Sequence, residues 1–114
     1  MKTILIPTDF SKSAQNALDY AIDIAKCTAA KLILFHAYEL PVIATEIPVV
    51  LTENEIEKQV IRKLKKAERY IHLNKGEDLV VEYEYRCGFP VEEIRSCAER
   101  NKADLIVMGL HGAG

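Results

Sequence analysis

Lys2-Thr3-Ile4-Leu5-Ile6-Pro7-Thr8-Asp9-Phe10-Ser11 is the stretch on which the fold turns. Ile4, Leu5 and Ile6 are apolar in succession, without the alternation of a half-exposed strand. A strand of that kind is covered on both faces, as strands of parallel sheets are. Pro7-Thr8-Asp9 breaks the run, and Ser11 or Ser13 is placed to cap a helix. The helix follows at once. Ala14, Ala17, Leu18, Ala21, Ile22 and Ala25 form a stripe at helical spacing that runs to about Thr28. Its many alanines allow a helix to lie close against a sheet.

Outward from this unit the alternation repeats. Residues 31–38 read as a second strand, with Leu32-Ile33-Leu34-Phe35 again continuously apolar. Residues 39–51 hold Pro41 and Pro48 and carry no helical stripe, so they read as a long loop. Thr52-Glu53-Asn54-Glu55 is a capping box, and Ile56, Val60, Leu64, Ala67 and Ile71 mark the buried face of the helix it starts. Gly76 suits its C-cap. In residues 79–86, Val81, Tyr83 and Tyr85 alternate with Glu82 and Glu84, which suggests an edge strand partly open to water. Cys87-Gly88-Phe89-Pro90 is a turn with Pro90 at the first helical position, and Val91, Ile94 and Ala98 give a short stripe. Residues 103–108 read as a fourth strand, expected to be buried on both faces and paired at both edges. The order β-α-β-loop-α-β-α-β means a Rossmann-like α/β domain over residues 1–114, an open parallel sheet with helices on both faces.

Composition narrows the function classes. The 114 residues suffice for one compact domain, and 49% hydrophobic with 28% charged residues is the mix of a globular protein. A net charge of −2 argues against a nucleic-acid partner, which would normally face a basic stripe. The one basic run, Arg62-Lys63-Leu64-Lys65-Lys66, follows Glu53, Glu55 and Glu57, an order that suits a helix dipole and a solvated face. No stretch approaches the ~18 apolar residues of a membrane span. The apolar run after Met1-Lys2 ends at Pro7, too short for a secretory signal. Cys27, Cys87 and Cys97 are odd in number and unrelated in spacing, so neither a disulfide framework nor a zinc site is expected, and a reducing cytoplasm is the natural compartment.

In an open α/β sheet, ligands bind beyond the carboxyl ends of the strands where strand order reverses. With strands two and three to one side of strand one and strand four to the other, the crevice lies between the ends of strands one and four. Pro7-Thr8-Asp9 and the glycine-rich Gly109-Leu110-His111-Gly112-Ala113-Gly114 fall there. Glycines let backbone N–H groups approach phosphate oxygens, although a flexible terminus has the same composition. Asp9 can accept from ribose hydroxyls or an adenine amine, or cap the following helix, or both. His36, inside an apolar strand, reads as a satisfied core histidine. His111 can touch a phosphate, but no Ser or Cys nucleophile stands with it, so no catalytic pair is assigned.

The chain also resembles a known family. Ile4-Leu5-Ile6-Pro7-Thr8-Asp9-Phe10-Ser11, Leu32-Ile33-Leu34-Phe35-His36-Ala37, Gly88-Phe89-Pro90-Val91-Glu92-Glu93-Ile94 and Ala103-Asp104-Leu105-Ile106-Val107-Met108-Gly109-Leu110-His111-Gly112 are similar, in order, to segments of the universal stress proteins. The resemblance implies a parallel sheet of order 3-2-1-4-5, of the adenine nucleotide alpha hydrolase-like type. It further implies an ATP, ADP or AMP ligand, with Mg2+ as a companion ion. Pro7, Thr8, Asp9 and Ala37 would line the nucleoside pocket, and Met108, Gly109, His111 and Gly112 would begin the phosphate loop. The family's loop goes on to a Gly-Ser or Gly-Thr at a helix N-terminus. This chain stops at Gly114, so the expectation is a domain incomplete at its C-terminus, without the fifth strand. It would pair as a homodimer, or with a tandem domain, through the strand-four side. The expected function is a cytoplasmic, stress-response module that binds an adenine nucleotide. The alternative is a nucleotide-independent interaction and dimerisation module of the same fold. An ATP-hydrolysing enzyme ranks last, because no metal-ligand cluster and no base with a partner is visible.

Overall fold

The computed structural model describes residues 2–39, 53–74 and 78–109. The anticipated loop at 39–51 (beyond Glu39), Thr52 of the capping box, the Gly76 cap and residues 110–114 lie outside them. The elements are β1 (Thr3–Pro7), α1 (Lys12–Thr28), β2 (Lys31–Tyr38), α2 (Glu53–Asn74), β3 (Val81–Cys87), α3 (Pro90–Asn101) and β4 (Leu105–Ile106). All strand pairs are parallel, in the order β3-β2-β1-β4. Among the described residues no helix is long and apolar enough to cross a membrane.

β1 is buried along its whole length because it lies between two strands and under helices on both faces. Its side chains part by alternation. Ile4 and Ile6 join Leu32 and Leu34 of β2 on the face covered by α1 and α2. Leu5 joins Ile33 and Phe35 on the opposite face, against Cys97 of α3. The α1 stripe is buried as its spacing requires, from Ala14 to Ala25. Ser11 caps the helix, its Oγ accepting from the Ala14 N–H at 3.1 Å. On α2, Val60, Leu64 and Ile71 are buried, with Ile56 and Ala67 packed beside them. Each fully buried aliphatic side chain stabilises the fold by roughly 1.5–3 kcal/mol.

Three expectations need correction. β4 is two residues long, although ladder bonds from Asp104 N to Thr3 O and from Val107 N to Leu5 O extend its contact with β1. It is not buried on both faces, since Leu105 is half-buried while Ile106 and Met108 are 43% and 54% exposed. The reason is topological: β1 takes one edge of β4, and no described strand takes the other.

The stripe of α3 is also shifted. Val91 is 70% exposed, because it stands in the first turn beside Pro90, outside the sheet's cover. The position facing the sheet falls to Cys97, which is fully buried between Ile94 and Ala98.

β3 starts at Val81 rather than Leu79, and its glutamates are not equally solvated. Glu82 is exposed and pairs with Lys31 at 3.4 Å. Glu84 accepts from Arg100 Nη2 at 2.7 Å and from Asn101 Nδ2 at 2.9 Å, which ties the edge strand to α3. Burial pulls the Glu84 carboxyl upward, but these two donors and the Arg100 charge outweigh it and hold it below the usual range. The Cys97 thiol beside it is pushed up to about 11, first by burial and then by the Glu84 charge.

Candidate functional site

α1 leaves β1 toward one face of the sheet, and α3 arrives at β4 from the other. The carboxyl ends of β1 and β4 are therefore not roofed by either connection, and a cleft opens there. Its walls include Pro7, Thr8 and Asp9 after β1, Ala37 near the end of β2, and Met108 and Gly109 after β4. These are six of the eight residues the sequence singles out. The other two, His111 and Gly112, lie outside the described residues. Ser11, Ser13 and Ala14 of the α1 start and Pro90 and Ile94 of α3 complete the cleft.

The turn from β1 into α1 is held by its own side chains. Thr8 N donates to Phe35 O at 2.8 Å, continuing the ladder one residue past β1. Thr8 Oγ1 accepts from Phe10 N at 3.0 Å, and Asp9 Oδ1 accepts from Ser11 N at 2.9 Å. Asp9 thus braces the helix start and is also exposed on the cleft wall, the double role its position allows. Phe10 is forced to φ 64°, a left-handed conformation that is an outlier for so bulky a residue. The surroundings compensate. The ring lies 4.7 Å from the His36 ring, and the Lys63 ammonium stands 5.4 Å from its centroid.

His36 is a cleft residue that sequence reasoning placed in the core. It is half-buried and lines the cleft, with Nδ1 2.7 Å from the Thr8 carbonyl. A carbonyl only accepts, so Nδ1 carries the proton. Burial lowers the His36 pKa, the Thr8 carbonyl opposes this, Lys63 lowers it further and Asp9 raises it; the net direction is downward. His36 is then neutral at pH 7, with Nε2 an acceptor. Its place as the sixth residue of β2, near the carboxyl end, was the signal available in the sequence.

Gly109 sits against α1. A Cβ built there would stand 2.5 Å from Ser13 Oγ and 2.6 Å from the Ser13 carbonyl carbon and oxygen. Its glycine identity is thus demanded by the close approach of β4's end to the first turn of α1, whatever binds nearby. The room enclosed by the described walls is about 140 Å³. That is less than the roughly 300–1,000 Å³ of a pocket for a whole drug-sized ligand, and suits a single ring. Among the described residues no group of three or more His, Cys, Asp or Glu gathers as a metal site would require.

The family model described as "Universal stress protein family" matches residues 1–114. This chain belongs to the universal stress protein family. A universal stress protein of Thermus aquaticus, encoded in the 3′ region of a sulfhydrylase, is 33% identical over 99% of this chain and 80% of its own length. Among solved structures, a universal stress protein family member from Burkholderia pseudomallei is 25% identical, covering 96% of this chain and 82% of its own, with a TM-score of 0.77. A universal stress protein in complex with cAMP is 28% identical over 93% of this chain and 74% of its own, with a TM-score of 0.71. The four parallel strands and the open switch point are therefore those of a universal stress protein of Rossmann-like fold.

Proposed function

We propose that this universal stress protein is a regulatory module that binds an adenine nucleotide, ATP, ADP or AMP, in the cleft between β1 and β4 and serves in stress physiology. The observation that carries the reading is the convergence of Pro7, Thr8, Asp9, Ala37, Met108 and Gly109 on one ring-sized cleft at the switch point. The cAMP complex of a relative supports the choice of an adenine nucleotide. In this reading the base enters against Ala37 and Met108, and the Asp9 carboxylate accepts from the sugar. The phosphates lead past Gly109, with Mg2+ as their companion, and His111 and Gly112 are the further residues the sequence offers them. Binding proceeds without turnover.

The test is isothermal titration with ATP, AMP and cAMP, with and without Mg2+, on the wild type and on Asp9→Ala and Ala37→Phe. Loss of a charge-assisted hydrogen bond at Asp9 should weaken binding by about 1–3 kcal/mol. A phenylalanine at position 37 fills the cleft and should abolish binding. Full affinity in Ala37→Phe would remove the cleft from the argument, and phosphate release above a chain-only control would overturn binding without turnover.

A second reading, an interaction module that pairs with a further copy or a tandem domain, is favoured by one observation. Ile106 and Met108 are exposed along a strand edge with no described partner, and such edges recruit other chains. Light scattering on the wild type and on Ile106→Lys decides it: an association that the lysine leaves intact does not use this edge.

A further inference from the structure

Asp9 and Phe10 are neighbours in the turn from β1 to α1, yet they border different openings. Asp9 lines the cleft at the switch point, and Phe10 does not. Phe10 lines the groove between α1 and α2, beside Lys63, and Asp9 does not. Thr8 and Ser11, on either side of the pair, border both. This division passes through the backbone of Phe10, where φ is 64°. A glycine adopts such a conformation freely, whereas an aromatic residue there is strained and persists only where its surroundings hold it.

The hold comes from the groove side. The Phe10 ring packs against the α1–α2 side of the core, 4.7 Å from the His36 ring. His36 is itself fixed, because its Nδ1 donates to the Thr8 carbonyl at 2.7 Å. Thr8 in turn is pinned to β2 by its N–H on the Phe35 carbonyl at 2.8 Å. The chain of contacts is closed: β2 holds Thr8 and His36, His36 supports the ring, and the ring holds the turn. On the other side of that turn the Asp9 carboxylate stands exposed on the cleft wall, with Oδ1 accepting from Ser11 N at 2.9 Å. A glycine at position 10 would relieve the strain but would leave the turn without an anchor. Strain kept in place of that simpler solution, one residue from a binding wall, is the pattern of a geometry that serves function.

We propose that Phe10 is a positioning residue for the nucleotide cleft: its ring, anchored on His36 and the core, holds the left-handed turn that fixes the Asp9 carboxylate on the cleft wall. The role rests on the nucleotide reading and adds to it a residue that does not itself line the cleft.

The experiment titrates ATP into the whole chain as wild type, Phe10→Gly and Phe10→Tyr, each with and without Asp9→Ala, and adds 15N relaxation of the free proteins. Phe10→Gly keeps the turn's conformation accessible but removes its anchor, and should weaken ATP by about tenfold. Phe10→Tyr keeps the ring and should recover most of that loss. In the Asp9→Ala background Phe10→Gly should have little further effect, because the two residues act as one unit. General loosening of the fold would instead add its loss to that of Asp9→Ala. Additive losses, or full affinity in Phe10→Gly, therefore overturn the proposal. Relaxation reads the turn without ligand. Order parameters at Asp9 and Ser11 should be near ~0.85 in the wild type and fall below about 0.6 in Phe10→Gly, while those of β1 stay high. A wild type that binds no adenine nucleotide overturns the reading of the cleft, and the role falls with it. Unchanged order parameters in Phe10→Gly, beside intact wild-type affinity, overturn the anchoring alone.

Discussion

Gly109→Ala adds one methyl group at the seam between the end of β4 and the first turn of α1. The new Cβ would stand 2.5 Å from Ser13 Oγ, which a rotation of the hydroxyl can relieve. It would also stand 2.6 Å from the Ser13 carbonyl carbon and oxygen, which belong to the helix backbone and cannot rotate away. To pass from 2.6 Å to the 3.4 Å of an ordinary contact, the two segments must part by about 0.8 Å. Ala14, the next residue of α1, is packed at 4% exposure, so that movement strains the helix's seat on the sheet. Overpacking of this kind costs about 1–3 kcal/mol. Urea unfolding followed by circular dichroism measures it as a fall in midpoint with an unchanged slope. The decisive comparison is Gly109→Ala with and without Ser13→Ala. Because the clash is with backbone, removing the hydroxyl should recover little of the loss. Full recovery in the double variant would show that only the hydroxyl was in the way, and the close approach of backbones would no longer explain the glycine.

Further outcomes follow from other parts of the fold. Lys102 caps α3 at φ 52°, in the left-handed region that disfavours a side chain, so Lys102→Gly should raise stability by about 0.5–1 kcal/mol in the same unfolding assay. Leu64→Ala, at a fully buried position of α2, should cost about 2–5 kcal/mol, read from its thermal or urea midpoint. In native protein treated with iodoacetamide, mass spectrometry should find Cys27 and Cys87 alkylated and Cys97 intact, since Cys97 alone is buried, with its thiol near 11. Because the folded His36 pKa lies below the ordinary 6.5, its contribution to stability is present above that value and is lost as pH falls below it. A 15N-resolved titration should therefore place the His36 midpoint below 6.5, and a midpoint above 6.5 would reverse the sign.

The sequence carried the central β1-α1-β2 unit with little loss, because each of its elements is governed by a local period. Ala14 to Ala25 face the sheet at helical spacing, and nothing distant competes for that face. The cleft was legible for a different reason: once strand order is known, the switch point names the strand ends, and Pro7, Asp9 and Gly109 must meet there. Where reading failed, the missing quantity was tertiary. Cys97 behaves as a small hydrophobe and takes the buried position on α3 that the apolar spacing assigns to Val91. An apolar run such as 105–108 looks the same with one neighbouring strand or two, so the exposure of Ile106 could not be read from it. The groove under Lys63 depends on the gap between two helices, which no spacing within α2 records.

Asp104 receives the backbone N–H groups of Lys2 and Thr3 at 2.9 and 3.0 Å, from residues made more than a hundred positions earlier. Of the described strands, β1 is thus made before the others and waits for the last of them to complete its pairing. β1, α1 and β2 can assemble while translation continues, since their contacts are close in sequence. The cleft cannot, because its second wall arrives with Met108 and Gly109. A nascent chain can therefore assemble the β1-α1-β2 unit before the cleft is closed by its second wall. On the proposed nucleotide reading, ribosome-bound intermediates should capture ligand only once synthesis has passed β4.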